Sequence, residues 1–413
     1  MKKLLLYENR KQKFLNILRL GLNPFKKFVS TGEIKEDLGI IRSRKNFLDS
    51  VVELIETHEN FILPIIGGVG AGKTHFFWAL KEKLYYYNLI YLSLENVYRR
   101  FYYNIYSKYI EEMGVKVLRN ITSQLCNEWG ALERKFGFFH VADIKKVKWN
   151  GFHELYNEFE DITVLKDIIN VITTHQLDPY KKIEAENWLL GELMDYKALA
   201  RLKLNSDLKK KAYAYMMLKI LMEQSKLGSV LYLDEFDTII PMIKPSISES
   251  SQIYDPSWLY DVDSASPETI TANKILERIL NLQNIKGLKI ILTMKSIESF
   301  IEVKKLIQEK NHDLLSVFRE PLILPNFIEK DVFQFYKKSL KQFAQNVDYT
   351  EFNEDFPDSF FPLNEKILKG IYSMSHGNPR QITKNLLKIF NEIIFSRKKL
   401  DIIIKEYEEE FAL

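Results

Sequence analysis

The sequence predicts an α/β protein with a parallel sheet, a large helical insertion and a C-terminal helical domain. Short apolar runs, of the kind that form buried parallel strands, alternate with segments of helical periodicity. Residues 97–227 show helical periodicity with few breakers and no convincing strand. The 413 residues include 16 glycines and 12 prolines, together about 7% of the chain. Average usage of these two residues together is roughly 12%. A chain so poor in helix breakers favours long helices.

The predicted elements follow one another in the order that an α/β protein requires. Strands are predicted at residues 61–66, 89–94, 229–233, 288–293 and 321–326. Helices are predicted at residues 40–57, from 74 to about 87, within 97–227, at 330–343 and at 364–397. Residues 241–267, rich in proline, serine and aspartate, are predicted to form a long loop. We therefore expect an N-terminal segment at 1–39, a core at 40–327 with its insertion at about 97–227, and a helical lid domain at 328–413.

Charge and cysteine content narrow the class of protein. The formal net charge of +4, from 59 basic and 55 acidic residues, does not require a polyanionic partner, although it allows a local basic face. The single cysteine, Cys126, cannot form an intramolecular disulfide or a thiolate metal site, so we expect a reducing, cytoplasmic location. The apolar run at residues 1–6 ends too soon for a signal core or a membrane span, and we expect no membrane partner.

Four of the glycines fall within six consecutive positions. The segment Gly67-Gly68-Val69-Gly70-Ala71-Gly72-Lys73-Thr74 matches G-x-x-x-x-G-K-[ST] between a predicted strand and a predicted helix. Glycines let backbone N–H groups surround phosphate oxygens, Lys73 reaches the outer phosphates, and the Thr74 hydroxyl binds Mg²⁺. The segment predicts ATP or ADP binding with Mg²⁺, and its placement disfavours a mere glycine-rich turn. His75, which adjoins the phosphate-binding loop, is counted among the nucleotide-binding residues and is expected to pack on the helix that follows the loop.

A second chemical signal is the acidic end of the strand at residues 229–233. Asp234 and Glu235 follow it directly, at the strand end where open α/β sheets bind ligands. Asp234 is predicted to hold Mg²⁺, and Glu235 to polarise the attacking water. The alternative is that these carboxylates merely end a strand. Two roles remain open for Asp237: it either supports the site or makes the loop soluble.

With these motifs the sequence resembles the AAA+ ATPases, in particular the origin-recognition type initiators and their relatives. The resemblance rests on the loop at 67–74, on Asp234-Glu235-Phe236-Asp237 and on Gly377-Asn378-Pro379-Arg380, and covers residues 40–100 and 225–395. It implies a P-loop NTPase three-layer sandwich in which Arg380 is the lid arginine, called sensor 2, that contacts the γ-phosphate. It also implies a polar sensor 1 at the fourth strand, for which Thr293 is chosen with Lys295 and Ser296 as alternatives.

The resemblance has a further implication and one departure. Arg319 matches the position of an arginine finger that reaches the γ-phosphate of a neighbouring subunit, which implies self-association; a surface arginine is the alternative. The insertion at 97–227 is much longer than the family's helical connection. Within it, Trp188-Leu189-Leu190-Gly191-Glu192 is similar to a segment of ATP-binding proteins from phage-defence (BREX) systems and archaeal relatives. The alternative for this segment is a tryptophan that anchors a helix pair.

Together these features predict an ATP-hydrolysing switch that acts in a DNA transaction such as replication initiation, a mobile element or defence. The 33 residues after Arg380 are expected to be too few for a winged-helix DNA-binding domain. Basic runs at 145–149, 209–211 and 397–399 are interpreted as solvated faces, with DNA contact as the alternative. The rival functions are a STAND-type signalling NTPase and an ATP-bound scaffold, both of which act through protein partners.

Overall fold

The computed structural model describes residues 2–26, 41–95, 100–135, 138–141, 143–243, 267–310, 316–349 and 360–411. It is an α/β protein with a five-stranded parallel sheet. The chain divides into two compact units. Unit 1 comprises Met1–Glu56, Ile65–Lys83 and Leu322–Leu413, and unit 2 comprises Thr57–Pro64 and Leu84–Pro321.

The strands of the main sheet are the five apolar runs predicted from the sequence. In chain order the described strands are β1 (Phe61–Ile66), β2 (Tyr87–Ser93), β3 (Leu132–Lys135), β4 (Phe138–Val141), β5 (Gly228–Asp234), β6 (Leu288–Met294) and β7 (Leu322–Ile323). The main sheet has the order β2-β5-β6-β1-β7. All residues of β1 and β6 are buried, which explains the apolar run of β1 and the apolar residues 290–292 of β6. The fifth predicted strand, at 321–326, is confirmed over two residues, Leu322 and Ile323.

Helices make up most of the remaining described chain. They are α1 (Lys2–Leu18), α2 (Arg42–Thr57), α3 (Lys73–Lys83), α4 (Phe101–Met113), α5 (Val115–Glu128), α6 (Ile144–Leu155), α7 (Ile162–Leu177), α8 (Lys182–Leu189), α9 (Tyr196–Leu202), α10 (Lys211–Gln224), α11 (Ile240–Ile243), α12 (Pro267–Asn281), α13 (Ile297–Lys310), α14 (Glu329–Asn346), α15 (Glu365–Ser375), α16 (Pro379–Phe395) and α17 (Leu400–Glu410). The predicted loop at 241–267 lies mostly outside the described residues, and its first residues belong to α11. None of the described helices combines the length and the apolarity that a bilayer crossing needs.

In its described residues the insertion at 97–227 consists of helices, connections and one hairpin, so the expectation that it holds no strand is wrong. Strands β3 and β4 pair antiparallel, with Leu132 opposite Val141 and Lys135 opposite Phe138. The sequence contains a signal for this hairpin. The dipeptide Phe136-Gly137 separates two short runs, and a short separator that contains glycine is typical of a hairpin. The hairpin was overlooked because it lies among long helices that have the same breaker-poor composition.

The hydrophobic core of unit 1 joins the N-terminal helix to the C-terminal helices. Phe14 and Phe25 belong to the same buried cluster as residues of α14 to α17. The Phe25 ring centroid lies 5.0 Å from that of Phe390, and the Phe14 ring stacks on Tyr349 with a centroid distance of 6.2 Å. Asn23 adds a polar contact, because its amide nitrogen donates to Asn391 Oδ1 at 2.8 Å. Residues 2–26 are therefore part of the same folded body as the C-terminal helices.

The segment around Trp188 is an anchor inside unit 2. Trp188 is buried, and its indole nitrogen donates to the Ser206 carbonyl at 3.0 Å. The Tyr103 hydroxyl donates to the Gly191 carbonyl at 2.7 Å, so a side chain of α4 caps the end of this segment. These contacts support the packing interpretation of the tryptophan that the sequence left as an alternative.

Candidate functional site

The glycine-rich loop in unit 1 has the backbone shape that its glycines permit. It leaves β1 after Ile66, and α3 begins at Lys73. Gly70 and Gly72 have φ angles of 80° and 92°, a region that side chains disfavour. The Lys73 ammonium lies against the loop, because Nζ donates to the Gly67 carbonyl at 2.6 Å. The loop, the lysine and the helix start are therefore held in one compact arrangement.

This arrangement presents hydrogen-bond donors and positive charge. The first turn of α3 contains no acidic residue, so no carboxylate there opposes the positive end of the helix dipole. Thr74, the residue after Lys73, is half-buried in the same turn. His75 is exposed on α3, where Phe76 and Phe77 take the buried positions. Its predicted role beside the phosphate-binding loop stays a prediction.

The start of α16 contacts the glycine-rich loop within unit 1. Asn378 caps α16 by accepting from the backbone N–H groups of Arg380 and Gln381, and its amide nitrogen donates to the Val69 carbonyl at 2.8 Å. The Arg380 backbone N–H donates to the Gly70 carbonyl at 3.3 Å. A Cβ on Gly70 would lie 2.6 Å from Arg380 Cβ, so glycine is needed for this approach. The exposed Arg380 guanidinium makes no hydrogen bond or ion pair to the described residues.

Arg44 of α2 supports the loop from its other side. This side chain is 8% exposed, and Nη2 donates to the Ala71 carbonyl at 2.8 Å and to the Pro325 carbonyl at 2.6 Å. Its guanidinium carbon also lies 4.8 Å from the Phe327 ring centroid. Burial lowers the pKa of Arg44 to about 10, although nearby Asp331 favours the charged form. Arg44 thus ties the loop to the chain that leads into α14.

Gly377, in the turn before α16, is held against residue 327. Its carbonyl accepts from the Phe327 backbone N–H at 2.8 Å, its φ is 73°, and an added Cβ would collide with the Phe327 carbonyl oxygen. Gly287, before β6, has a nearly equal φ of 74° and nothing within 4 Å of such a Cβ. The two glycines therefore share the same backbone requirement and differ in the space around them.

Gly377→Ala is expected to destabilise the protein by about 3 kcal/mol and Gly287→Ala by about 1 kcal/mol, because the first adds a backbone collision to the strain that both share. Thermal unfolding followed by circular dichroism measures the difference between the two variants. Equal midpoints for both would contradict the close approach of Gly377 to residue 327.

The acidic strand end forms a second cluster, inside unit 2. Asp234 is 2% exposed at the end of β5, and both of its carboxylate oxygens accept hydrogen bonds. The Tyr91 hydroxyl donates to Oδ2 at 2.9 Å, and the Thr293 hydroxyl donates to Oδ1. Leu233 pairs with Leu292, so the next residues, Asp234 and Thr293, meet at the same ends of β5 and β6. These hydrogen bonds fix the carboxylate in orientation at the ends of the two strands.

Glu235 lies beside this carboxylate in an unusual backbone conformation. Its φ of 61° is in the left-handed region, which turns its side chain out of the line of β5. The Glu235 backbone N–H donates to Thr293 Oγ1 at 3.1 Å, and its Oε2 accepts from the Ser93 hydroxyl at 2.6 Å. Hydroxyl groups from the ends of β2 and β6 therefore fix both ends of this residue.

The three candidates for sensor 1 differ in their contacts. Of the three candidates for sensor 1, Thr293 is the one that contacts Asp234, whereas Ser296 lies at the start of α13 and bonds to Ser299. Lys295 is exposed, and its backbone N–H donates to Asp237 Oδ2 at 2.7 Å, which gives Asp237 a structural contact in the same cluster.

Arg319, the predicted arginine finger, lies beside β1. Its backbone N–H donates to the Ile62 carbonyl at 2.9 Å, which continues the chain along the strand. The side chain is half-buried, and its Nε is enclosed without a hydrogen-bond partner among the described residues. The geometry leaves the finger assignment a prediction.

Sequence reasoning missed the residues that hold these groups in place. Arg44, Asn378, Ser93 and Tyr91 each contact a predicted site residue, yet none was assigned a role. A signal existed for Asn378, because asparagine before proline is typical of a helix start. Ser93 is the last residue of its strand, a position that parallel sheets use for ligand contacts.

Comparisons with protein-family models and with curated proteins found no match for this chain.

Proposed function

We propose that the protein is an ATP-binding and ATP-hydrolysing P-loop ATPase of the AAA+ type that acts as a nucleotide-dependent switch. The observation that carries the proposal is the glycine-rich loop between β1 and α3. A phosphate-binding cradle needs a loop with glycines at positive φ, a lysine and a helix start without acidic residues. This loop has Gly70 and Gly72 at positive φ, Lys73 at the start of α3 and no acidic residue in the first turn of that helix. In this proposal the backbone N–H groups of residues 67–74 and the Lys73 ammonium bind the β- and γ-phosphates.

The acidic cluster fits the second part of such a site. Asp234 ends a buried strand of a parallel sheet, the position at which open α/β sheets bind ligands. Thr74 and Asp234 would hold Mg²⁺, which supplies charge neutralisation on the outer phosphates. Glu235 would orient and deprotonate the attacking water, with Thr293 and Ser93 keeping its position.

The contacts of α16 with the loop support the switch. Asn378 and the Arg380 backbone bond directly to residues 69 and 70. A phosphate that changes the conformation of the loop would therefore change the hydrogen bonds at the start of α16. The Arg380 guanidinium would bind the γ-phosphate, for which its planar fork is suited. Loss of that phosphate would then release the helix start and change the position of the C-terminal helices.

DNA and a second copy of the chain are the proposed partners, on the strength of the AAA+ resemblance. If Arg319 acts in trans, the ATPase rate per chain should rise with protein concentration, and duplex DNA should stimulate it. Steady-state phosphate release over a hundredfold range of concentration, with and without duplex, measures both effects. The Lys73→Ala protein, purified in the same way, reports any contaminating ATPase. A slow rate that depends on neither protein concentration nor DNA, with one nucleotide bound per chain, would favour a STAND-type switch or an ATP-bound scaffold.

A further inference from the structure

A small basic cavity lies in unit 2, where the starts of α4 and α10 meet the last turn of α12. Its volume is about 140 Å³. Four of its lining residues are cationic and three are aromatic: Arg100, Lys209, Lys211 and Arg278, with Phe101, Tyr102 and Tyr103. Among the residues that the structure describes, no carboxylate lines the cavity. Three separate helices therefore contribute positive charge to one cavity, in which Arg100 and Lys211 are exposed and Lys209 and Arg278 are half-buried.

These positive charges are not neutralised by the described part of the chain. None of the four cationic side chains forms an ion pair with a described residue. Arg278 Nε is enclosed and has no hydrogen-bond partner among those residues. The Arg278 carbonyl accepts from the buried Tyr102 hydroxyl at 3.1 Å, which fixes α12 to the start of α4. Like charges held together without a counterion are unfavourable, so the arrangement calls for an anion.

The backbone adds further donors at the same place. Helix α4 starts after Arg100 and α10 after Lys210, and neither helix has a side-chain cap or an acidic residue in its first turn. By contrast, Asp143, Asp161 and Asp195 cap the helices α6, α7 and α9 of the same unit. Cations at a helix start oppose the helix dipole, whereas a bound anion would satisfy both the cations and the unbonded N–H groups.

We propose that this cavity is a second anion site, which binds a phosphate group. Phosphate offers several acceptor oxygens to donors that converge from different directions, as two guanidinium groups, two ammonium groups and two helix starts do here. The cavity volume suits one such group. The phosphate is supplied either by a free phosphate or phosphomonoester or by the phosphodiester backbone of a nucleic acid. The assignment is independent of the ATP site, since none of its residues belongs to the glycine-rich loop.

The test is the binding of radiolabelled orthophosphate to the full chain at low ionic strength, measured by equilibrium dialysis with saturating ADP and Mg²⁺. Lys209→Gln combined with Lys211→Gln is expected to weaken binding at least ~10-fold, because each lysine gives a charge-assisted hydrogen bond. Lys210→Gln is the matched control: this exposed lysine lies between the other two but does not line the cavity. It should change the affinity less than ~2-fold.

A second arm distinguishes the two sources of phosphate. Fluorescence anisotropy with a dodecathymidylate that lacks terminal phosphates is measured on the same three proteins. A parallel loss with the double variant identifies a phosphodiester, and no change with that variant identifies a free phosphate group. The proposal is overturned if wild-type protein binds neither probe, or if Lys210→Gln weakens binding as much as the double variant. ADP binding is measured separately, so a failure of the ATP site would not be mistaken for a failure of this one.

Discussion

Lys73→Ala is expected to weaken ATP binding at least ~100-fold, because the ammonium is the formal positive charge that the loop itself brings to the outer phosphates. Lys73 Nζ already lies 2.6 Å from the Gly67 carbonyl, so its position is set by the loop. A charge-assisted hydrogen bond contributes about 1.5–3 kcal/mol, and loss of two of them corresponds to a change of this size. Titration with a fluorescent ATP analogue or by calorimetry measures the dissociation constant.

Lys83→Ala is the matched control for this variant. Lys83 is the last residue of the same helix, α3, and it is exposed. Its removal should leave the affinity for ATP within ~2-fold of wild type, since surface charges at that distance are screened. Unchanged binding by Lys73→Ala, in a protein with a wild-type melting temperature, would remove the central support of the proposed function.

The strands of the main sheet were predictable because burial leaves a direct trace in sequence. Residues buried on both faces of a parallel sheet are mostly apolar, as throughout β1 and at residues 290–292 of β6. The strand predicted at 321–326 was too long because buried Leu324 extends the apolar run of β7, while the pairing of β7 with β1 covers two residues. The order of the strands was not predictable, since apolar runs carry no record of which neighbour each one pairs with.

The site was predictable to the extent that its chemistry is local. Residues 67–74 and Asp234-Glu235 are contiguous motifs, and each side chain has a role tied to its position in the motif. The partners of these residues come from distant segments: Arg44 reaches Ala71, and Ser93 reaches Glu235. Such contacts depend on packing between elements, which periodicity and spacing do not specify. For the same reason no pattern in the sequence predicts that Asn378 bonds to Val69.

Glu235→Gln is expected to bind ATP like wild type and to hydrolyse it at least ~100-fold more slowly, the effect of losing a general base. The variant is nearly isosteric. Its amide oxygen can still accept from the Ser93 hydroxyl, and the backbone contact with Thr293 does not involve the side chain. The substitution therefore removes proton acceptance while the position of the side chain is kept, and the measurement is single-turnover hydrolysis of saturating ATP.

Asp237→Asn separates this effect from a general loss of negative charge. Asp237 belongs to the same acidic box, and its Oδ2 accepts from the Lys295 backbone N–H, a contact that an asparagine oxygen can replace. We expect its hydrolysis rate to stay within a few-fold of wild type, because no step of the proposed reaction uses that carboxylate. If both variants slow hydrolysis equally, the cluster acts through its charge and Glu235 is not the base. If Glu235→Gln turns over normally, the water is activated elsewhere. A stable ATP complex of Glu235→Gln with little turnover would also give a protein held in its ATP state, in which the change at α16 can be measured directly.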